Sequence, residues 1–67
     1  MVYAIELYSE NKMYHARNHK GECFTSGYIP FIREYAMSML ASNSGFIRAD
    51  IIDISTGNRN FIESIEV

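Results

Sequence analysis

The chain has 67 residues, of which 48% are hydrophobic, and its formal net charge is −2. A chain this short buries only about 60% of its unfolded surface, so we expect a single compact domain over residues 1–67. The apolar content excludes a disordered chain, and the single cysteine excludes an internal disulfide. No apolar run approaches the roughly 18 residues of a membrane span and the start is acidic, so we expect a cytoplasmic protein without a membrane partner.

The chain begins with the pattern of a strand over residues 2–8. Tyr3, Ile5 and Leu7 alternate onto the face that we expect to be buried, and Glu6 marks a face that we expect to be partly wet. Two polar turns and two further short strands follow, which predicts a β-meander. The predicted turns are residues 9–12 and 18–21, and the predicted strands are residues 13–18 and 22–26.

The second turn leaves two registers open. With two central residues, Arg17 lies opposite Glu22 as an ion pair, and Ala16 lies opposite Cys23 as a small buried pair. With one more residue in the turn, Arg17 lies opposite Cys23 instead. The sequence alone does not distinguish between these two registers.

Residues 28–42 carry the strongest helical signal. An apolar stripe recurs with the period of a helix, which indicates about four turns with one buried side. Ser26 and Gly27 are suitable N-cap residues, Pro30 fits the first turn, and residues 42–45 provide a stop. An isolated helix of this length is marginal in water, so we expect a sheet to cover the stripe. The stripe consists of Ile29, Ile32, Ala36, Met39 and Leu40.

The second half of the chain predicts a β-hairpin. Residues 46–55 are typical of a strand whose pattern changes phase, which indicates either a β-bulge near residues 50–52 or a strand covered on both faces. Both alternatives place it centrally in the sheet. Turn residues at 56–59 lead to a last strand, residues 60–67. In that strand we group Phe61, Ile65 and Val67 on one face.

This element order, β-β-β-α-β-β, predicts the α+β class. We expect one antiparallel sheet of four to five strands with a single helix packed across one face. The opposite face of the sheet then stays bare unless a partner covers it.

Histidines and a cysteine form the pattern most suggestive of chemistry. His15, His19 and Cys23 are transition-metal ligand types at regular spacing, which suggests a metal or redox role. The turn between them separates His19 from Cys23, and no third group completes a Cys-His nucleophilic pair. Asp50 and Asp53 fall on opposite faces of a strand with no polar cluster around them. We therefore expect no enzyme, no catalytic residue, no metal and no cofactor, and the metal or redox role ranks third.

The functional hypothesis that ranks second is nucleic-acid binding by a basic hairpin. The run from residue 12 to residue 20 contains three cations and no acid, and an aromatic ring lies among them, a composition that suits nucleic-acid backbones and bases. The acidic remainder of the chain disfavours this hypothesis. Its candidate residues are Lys12, Tyr14, Arg17 and Lys20.

The functional hypothesis that ranks first is binding to another protein. Five tyrosines, four methionines and four phenylalanines are many for such a small interior, and these residue types are enriched in interface cores. Phe31 and Met37 lie off the buried stripe, so we expect them on the helix flanks. The sequence therefore predicts a small protein-binding module: a homodimer, an adaptor, or a stoichiometric inhibitor or regulator, of phage type in view of its size. The contact surface is either the open face of the sheet or the flank of the helix. Its candidate interface residues are Phe31, Tyr35, Met37 and Tyr8.

Overall fold

The computed structural model describes residues 1–42 and 45–66. Within them, five strands form one antiparallel sheet in the spatial order β2-β1-β4-β5, with β3 beside β1, and one helix packs on the sheet. The predicted α+β class and the order β-β-β-α-β-β are confirmed. The elements are β1 (Tyr3–Tyr8), β2 (Met13–His15), β3 (Thr25–Ser26), α1 (Ile29–Ala41), β4 (Arg48–Asp53) and β5 (Asn60–Glu66).

The core lies between α1 and the side of the sheet that faces it. The predicted stripe is confirmed, because Ile32, Ala36 and Leu40 are buried and its other two members are partly buried. Burial of this stripe against the sheet supplies the stability that the isolated helix lacks. The sheet side of the core contains Tyr3, Ile5, Leu7, Ala49 and Ile51.

The helix begins one residue later than a cap at Gly27 implies, and two residues later than a cap at Ser26 implies. Tyr28, rather than Ser26 or Gly27, is the N-cap, with an extended backbone at φ −124°. Ser26 still contributes, because its Oγ accepts a hydrogen bond of 3.1 Å from the Tyr28 N–H. At the other end Ser42 is the C-cap. Of the predicted stop, Asn43 and Ser44 lie outside the described residues, and Gly45 has a positive φ of 87°.

The predicted meander is wrong in one respect, because β3 pairs with β1 and not with β2. The Ala16 N–H donates to the Ile5 carbonyl (3.0 Å), and the Phe24 N–H donates to the Ala16 carbonyl (2.8 Å). The chain therefore leaves the edge of β1 after Ala16, forms a loop over residues 17–23, and returns to the same edge. β2 and β3 therefore pair with the same edge of β1, one after the other, and the loop of residues 17–23 separates them.

Within this loop the longer of the two predicted turns is found. Arg17 lies opposite Cys23, so the Arg17–Glu22 register is wrong. Asn18 closes the loop, since its Oδ1 accepts hydrogen bonds from the N–H groups of Lys20 (2.9 Å) and Glu22 (3.0 Å). Cys23 is exposed, which corrects its predicted burial beside Ala16.

β4 is a central strand, as predicted, and it is buried on both faces, which was one of the two alternatives. The register shift between Ile51 and Ile52 also falls where a bulge was expected. The extra residue, however, belongs to β5: Ile51 lies opposite Glu63 and Ile52 lies opposite Phe61, which leaves Ile62 unpaired between them.

The bulge changes the face on which the start of β5 lies. Ile65 lies opposite Ala49 on the helix side, whereas Phe61 lies opposite Ile52 on the other side. The prediction that Phe61 and Ile65 share a face is therefore wrong, and Val67 lies outside the described residues. In the described part of the chain, no helix is long and apolar enough to cross a membrane.

Candidate functional site

The outer side of α1 presents exposed apolar side chains in an open groove. Tyr28 is 65% exposed, Phe31 51% and Met37 53%. These side chains line the groove together with Pro30 and two charged residues, Arg33 and Glu34. Most of the groove surface is therefore ring, thioether and aliphatic carbon.

Met37 extends this apolar surface to the edge of the sheet. It also lines a second groove, between the C-terminal half of α1 and the end of β5. Because one side chain belongs to both grooves, the apolar surface is continuous from the start of α1 to the end of β5. We call it the helix strip: Tyr28, Pro30, Phe31, Met37, Leu40, Ala41 and Ile65.

Some charged groups along the helix strip have a partner within the chain and others do not. Arg33 donates from Nε (3.0 Å) and Nη2 (2.8 Å) to Oε1 of Glu63 on β5. Glu34 lines the first groove, and its carboxylate has no hydrogen-bond or ion-pair partner among residues 1–42 and 45–66. Glu66 touches the second groove, but it lies opposite Arg48 and also borders Tyr8 and Arg48 on the other side of the sheet. The strip therefore borders one neutral pair and one free acid.

Tyr35, a predicted interface residue, is half-buried beside the strip. Its ring stacks on Phe24 with centroids 3.8 Å apart, and its hydroxyl donates to the Arg17 carbonyl (3.0 Å). Phe24 in turn lies 5.9 Å from the Phe31 ring. Tyr35 thus connects α1 to the loop of residues 17–23.

Tyr8, the fourth predicted interface residue, lies on the opposite side of the sheet. Its hydroxyl donates to Glu6 Oε1 (3.0 Å), and the Arg48 guanidinium lies 4.2 Å from its ring centroid. The structure therefore brings Phe31 and Met37 together and places Tyr8 away from them.

That opposite side carries a polar cluster that pattern reasoning missed. Glu6 and Asp50 are directly opposite each other on β1 and β4, and they are only 2% and 5% exposed. Arg59 covers Glu6 with two charge-assisted hydrogen bonds, from Nε to Oε2 (2.7 Å) and from Nη2 to Oε1 (2.6 Å). Ser64 Oγ donates to Asp50 Oδ1 (2.8 Å). The prediction of no polar cluster near Asp50 is wrong. Glu6 itself is buried, although its face is partly exposed, as predicted, at Tyr8 and Arg59.

Two arginines neutralise this acid pair. Arg59 Nη2 lies 3.8 Å from Asp50 Oδ2, and Arg48 Nε lies 3.2 Å from Asp50 Oδ1 in an ion pair without a hydrogen bond. The Arg59 hydrogen bonds hold the pKa of the Glu6 carboxyl below its ordinary value, against the opposing effect of burial, and Glu6 in turn raises the pKa of Arg59. Two acids and two cations give a neutral group that links β1, β4 and the β4–β5 turn.

The candidate nucleic-acid residues lie in different parts of the fold. Lys12 is in the β1–β2 turn, whereas Arg17 and Lys20 belong to the loop of residues 17–23. Arg17 Nη1 donates to the Gly21 carbonyl (2.8 Å), within the loop itself. Tyr14 contacts the Phe46 ring edge-on at 5.7 Å. One aromatic ring and one cation of this set are thus engaged within the chain.

The candidate metal ligands are also spread out. His15 lies on β2 opposite Glu6, whereas His19 and Cys23 lie in the loop. Among the residues that the structure describes, no group of three histidine, cysteine or acidic side chains is placed to hold a metal ion.

Comparison of the chain with models of protein families, with curated protein sequences and with solved structures found no significant match. We therefore infer function from the chemistry of these surfaces.

Proposed function

We propose that this protein acts by binding another protein through the helix strip. The observation that carries the proposal is the position of Met37 in both apolar grooves, which makes the exposed surface continuous. Isolated exposed apolar residues are normal in any small domain, but a continuous patch rimmed by polar groups is typical of an interaction surface. Tyrosine, phenylalanine and methionine are also the residue types enriched at interface cores.

The opposite side of the sheet is a weaker candidate. Its exposed apolar residues Met13 and Phe61 lie on β2 and β5, the two outermost strands of the order β2-β1-β4-β5. Between them lies the polar cluster, in which Arg59 covers Glu6. A partner docking there would have to displace these hydrogen bonds or leave polar groups buried without partners, which is costly.

In the proposed role the protein acts stoichiometrically, as an adaptor, an inhibitor or a regulator. Binding through a preformed rigid helix face loses little conformational entropy, which favours affinity from a small contact area. Self-association into a homodimer through the same strip is the alternative, and sedimentation of the chain at several concentrations separates the two.

The direct test is selection of helix-forming peptides from a random displayed library on the immobilised chain. We expect enrichment of peptides whose binding is lost in Phe31→Ser and Met37→Ser. The chain offers matched controls: Phe61→Ser and Met13→Ser remove similarly exposed side chains of the same types from the other side of the sheet. All four substitutions are at exposed sites, and circular dichroism checks their folding. Failure to enrich any peptide, or equal losses in the control variants, would contradict the proposal.

A further inference from the structure

Among the described residues, the unpaired charge along the helix strip is negative. Glu34 borders the first groove, and its carboxylate has no partner within the described part of the chain. Arg33, the one cation that lines either groove in that part of the chain, already gives two hydrogen bonds to Glu63. A partner that covers the strip therefore meets apolar surface beside one unpaired carboxylate.

The edge strand beside the strip is poorly suited to pairing with an added strand. β5 contains the bulge at Ile62, which interrupts regular backbone pairing. It also carries Glu63 and Glu66, and acidic side chains on an edge discourage strand addition. The groove between α1 and β5 instead offers side chains, chiefly Met37 and Ile65, for an element that satisfies its own backbone hydrogen bonds.

A second copy of the chain matches the strip badly in charge. A twofold interface apposes the same patch on both subunits. Glu34 would then meet a surface whose unpaired charge is also acidic, and like charges across an interface disfavour association. A positively charged partner does not meet this repulsion.

We infer that the segment recognised by the helix strip is a basic amphipathic helix of another protein. This inference rests on the proposed function and specifies its partner. The apolar face of such a helix covers Phe31 and Met37, and a lysine or arginine side chain beside that face pairs with Glu34. Apolar burial supplies most of the affinity, and the cation supplies selectivity.

The probe is a synthetic helical peptide of leucine and lysine, with leucine on one face, and its counterpart is the same peptide with glutamate in place of lysine. Fluorescence anisotropy at low salt measures the binding of each to the chain. We expect the lysine peptide to bind more tightly than the glutamate peptide. Glu34→Lys should weaken binding of the lysine peptide about fivefold. Glu22→Lys changes the net charge equally, but in the loop of residues 17–23, and should leave binding within about twofold.

Equal binding of the two peptides, or equal losses in Glu34→Lys and Glu22→Lys, would overturn the inference. If Phe31→Ser abolishes binding while Glu34→Lys has no effect, the inference fails and the proposed function stands. A dimer in sedimentation that Phe31→Ser dissociates would likewise overturn it, because the occupant would then be a second copy. If neither peptide binds, the inference fails, and the library selection separately decides whether the strip binds proteins.

Discussion

Glu6 and Asp50 lie directly opposite each other on β1 and β4, although both are buried and both are acids. Like charges in directly opposed positions destabilise a sheet, and buried carboxylates need partners. Arg59 supplies the main partner by reaching from the β4–β5 turn across β4 to Glu6 on β1. A turn residue thus stabilises a strand pair that would otherwise repel.

The first prediction concerns this arginine. Arg59→Met should lower the urea midpoint of unfolding clearly, because it leaves Glu6 and Asp50 together without their shared cation. Arg33→Met is the matched control, since the Arg33–Glu63 pair is exposed and should contribute less than about 1 kcal/mol. Equal losses in the two variants would contradict this account of the cluster. In a double-mutant cycle, Glu6→Gln and Arg59→Met should be less than additive.

The second prediction concerns pH. The Arg59 hydrogen bonds lower the pKa of Glu6 in the folded state relative to its ordinary value of 4.5. A lowered folded-state pKa means that the ionised carboxylate stabilises the fold fully above the unfolded pKa, and that this contribution is lost as the pH falls through the folded pKa. The urea midpoint should therefore fall as the pH drops below the ordinary pKa of 4.5, and should fall less in Glu6→Gln.

A residual acid dependence should persist in Glu6→Gln. The pKa of Asp53 is also lowered, by hydrogen bonds from the hydroxyl and the N–H of Ser55. Identical midpoint-versus-pH profiles for the wild type and Glu6→Gln would show that Glu6 does not contribute.

The third prediction tests the core. Ile32 is fully buried against the sheet, so Ile32→Val should lower the free energy of unfolding by about 1 kcal/mol. Ile47 is exposed, and the same substitution there should change stability by less than about 0.5 kcal/mol. Chemical denaturation of both variants measures the difference, and similar values would show that the helix stripe does not form the core.

The fourth prediction concerns the turn that positions Arg59. Gly57 has a φ of 84°, and a Cβ at this position would meet nothing within 4 Å, so a substitution costs backbone strain rather than steric overlap. Gly57→Ala should destabilise by about 1 kcal/mol. Asparagine tolerates this conformation better, so Gly57→Asn should cost less. Thermal unfolding ranks the two variants, and the reverse order would contradict the argument.

Local periodicity was sufficient to predict the helix and its buried stripe, the inward face of β1 and the central position of β4. Each depends on residues close together in the sequence. The partner of β3 was not predictable in this way, because the choice between β1 and β2 depends on how residues 17–23 leave and rejoin the sheet. The face of Phe61 was missed because the bulge residue is Ile62 on β5 rather than a residue of β4.

In the candidate site, too, local sequence patterns predict some residues, and other residues depend on contacts that are distant in the sequence. Phe31 and Met37 were predictable because they fall off the helical stripe. The second groove was not, because it requires knowing that Ile65 lies beside the C-terminal half of α1. The cluster at Glu6 was also out of reach, since a single long side chain from a turn fifty-three residues away leaves no periodic signal.

The central claim, that the helix strip is the binding surface, is tested most directly by titrating the isotope-labelled chain with the leucine–lysine helical peptide and following the amide resonances. We predict chemical-shift changes concentrated at Phe31, Glu34, Met37 and Ile65, with little change at Met13 and Phe61 across the sheet. Changes concentrated at Met13, Phe61 and the Glu6 cluster instead would place binding on the opposite side of the sheet and contradict the account.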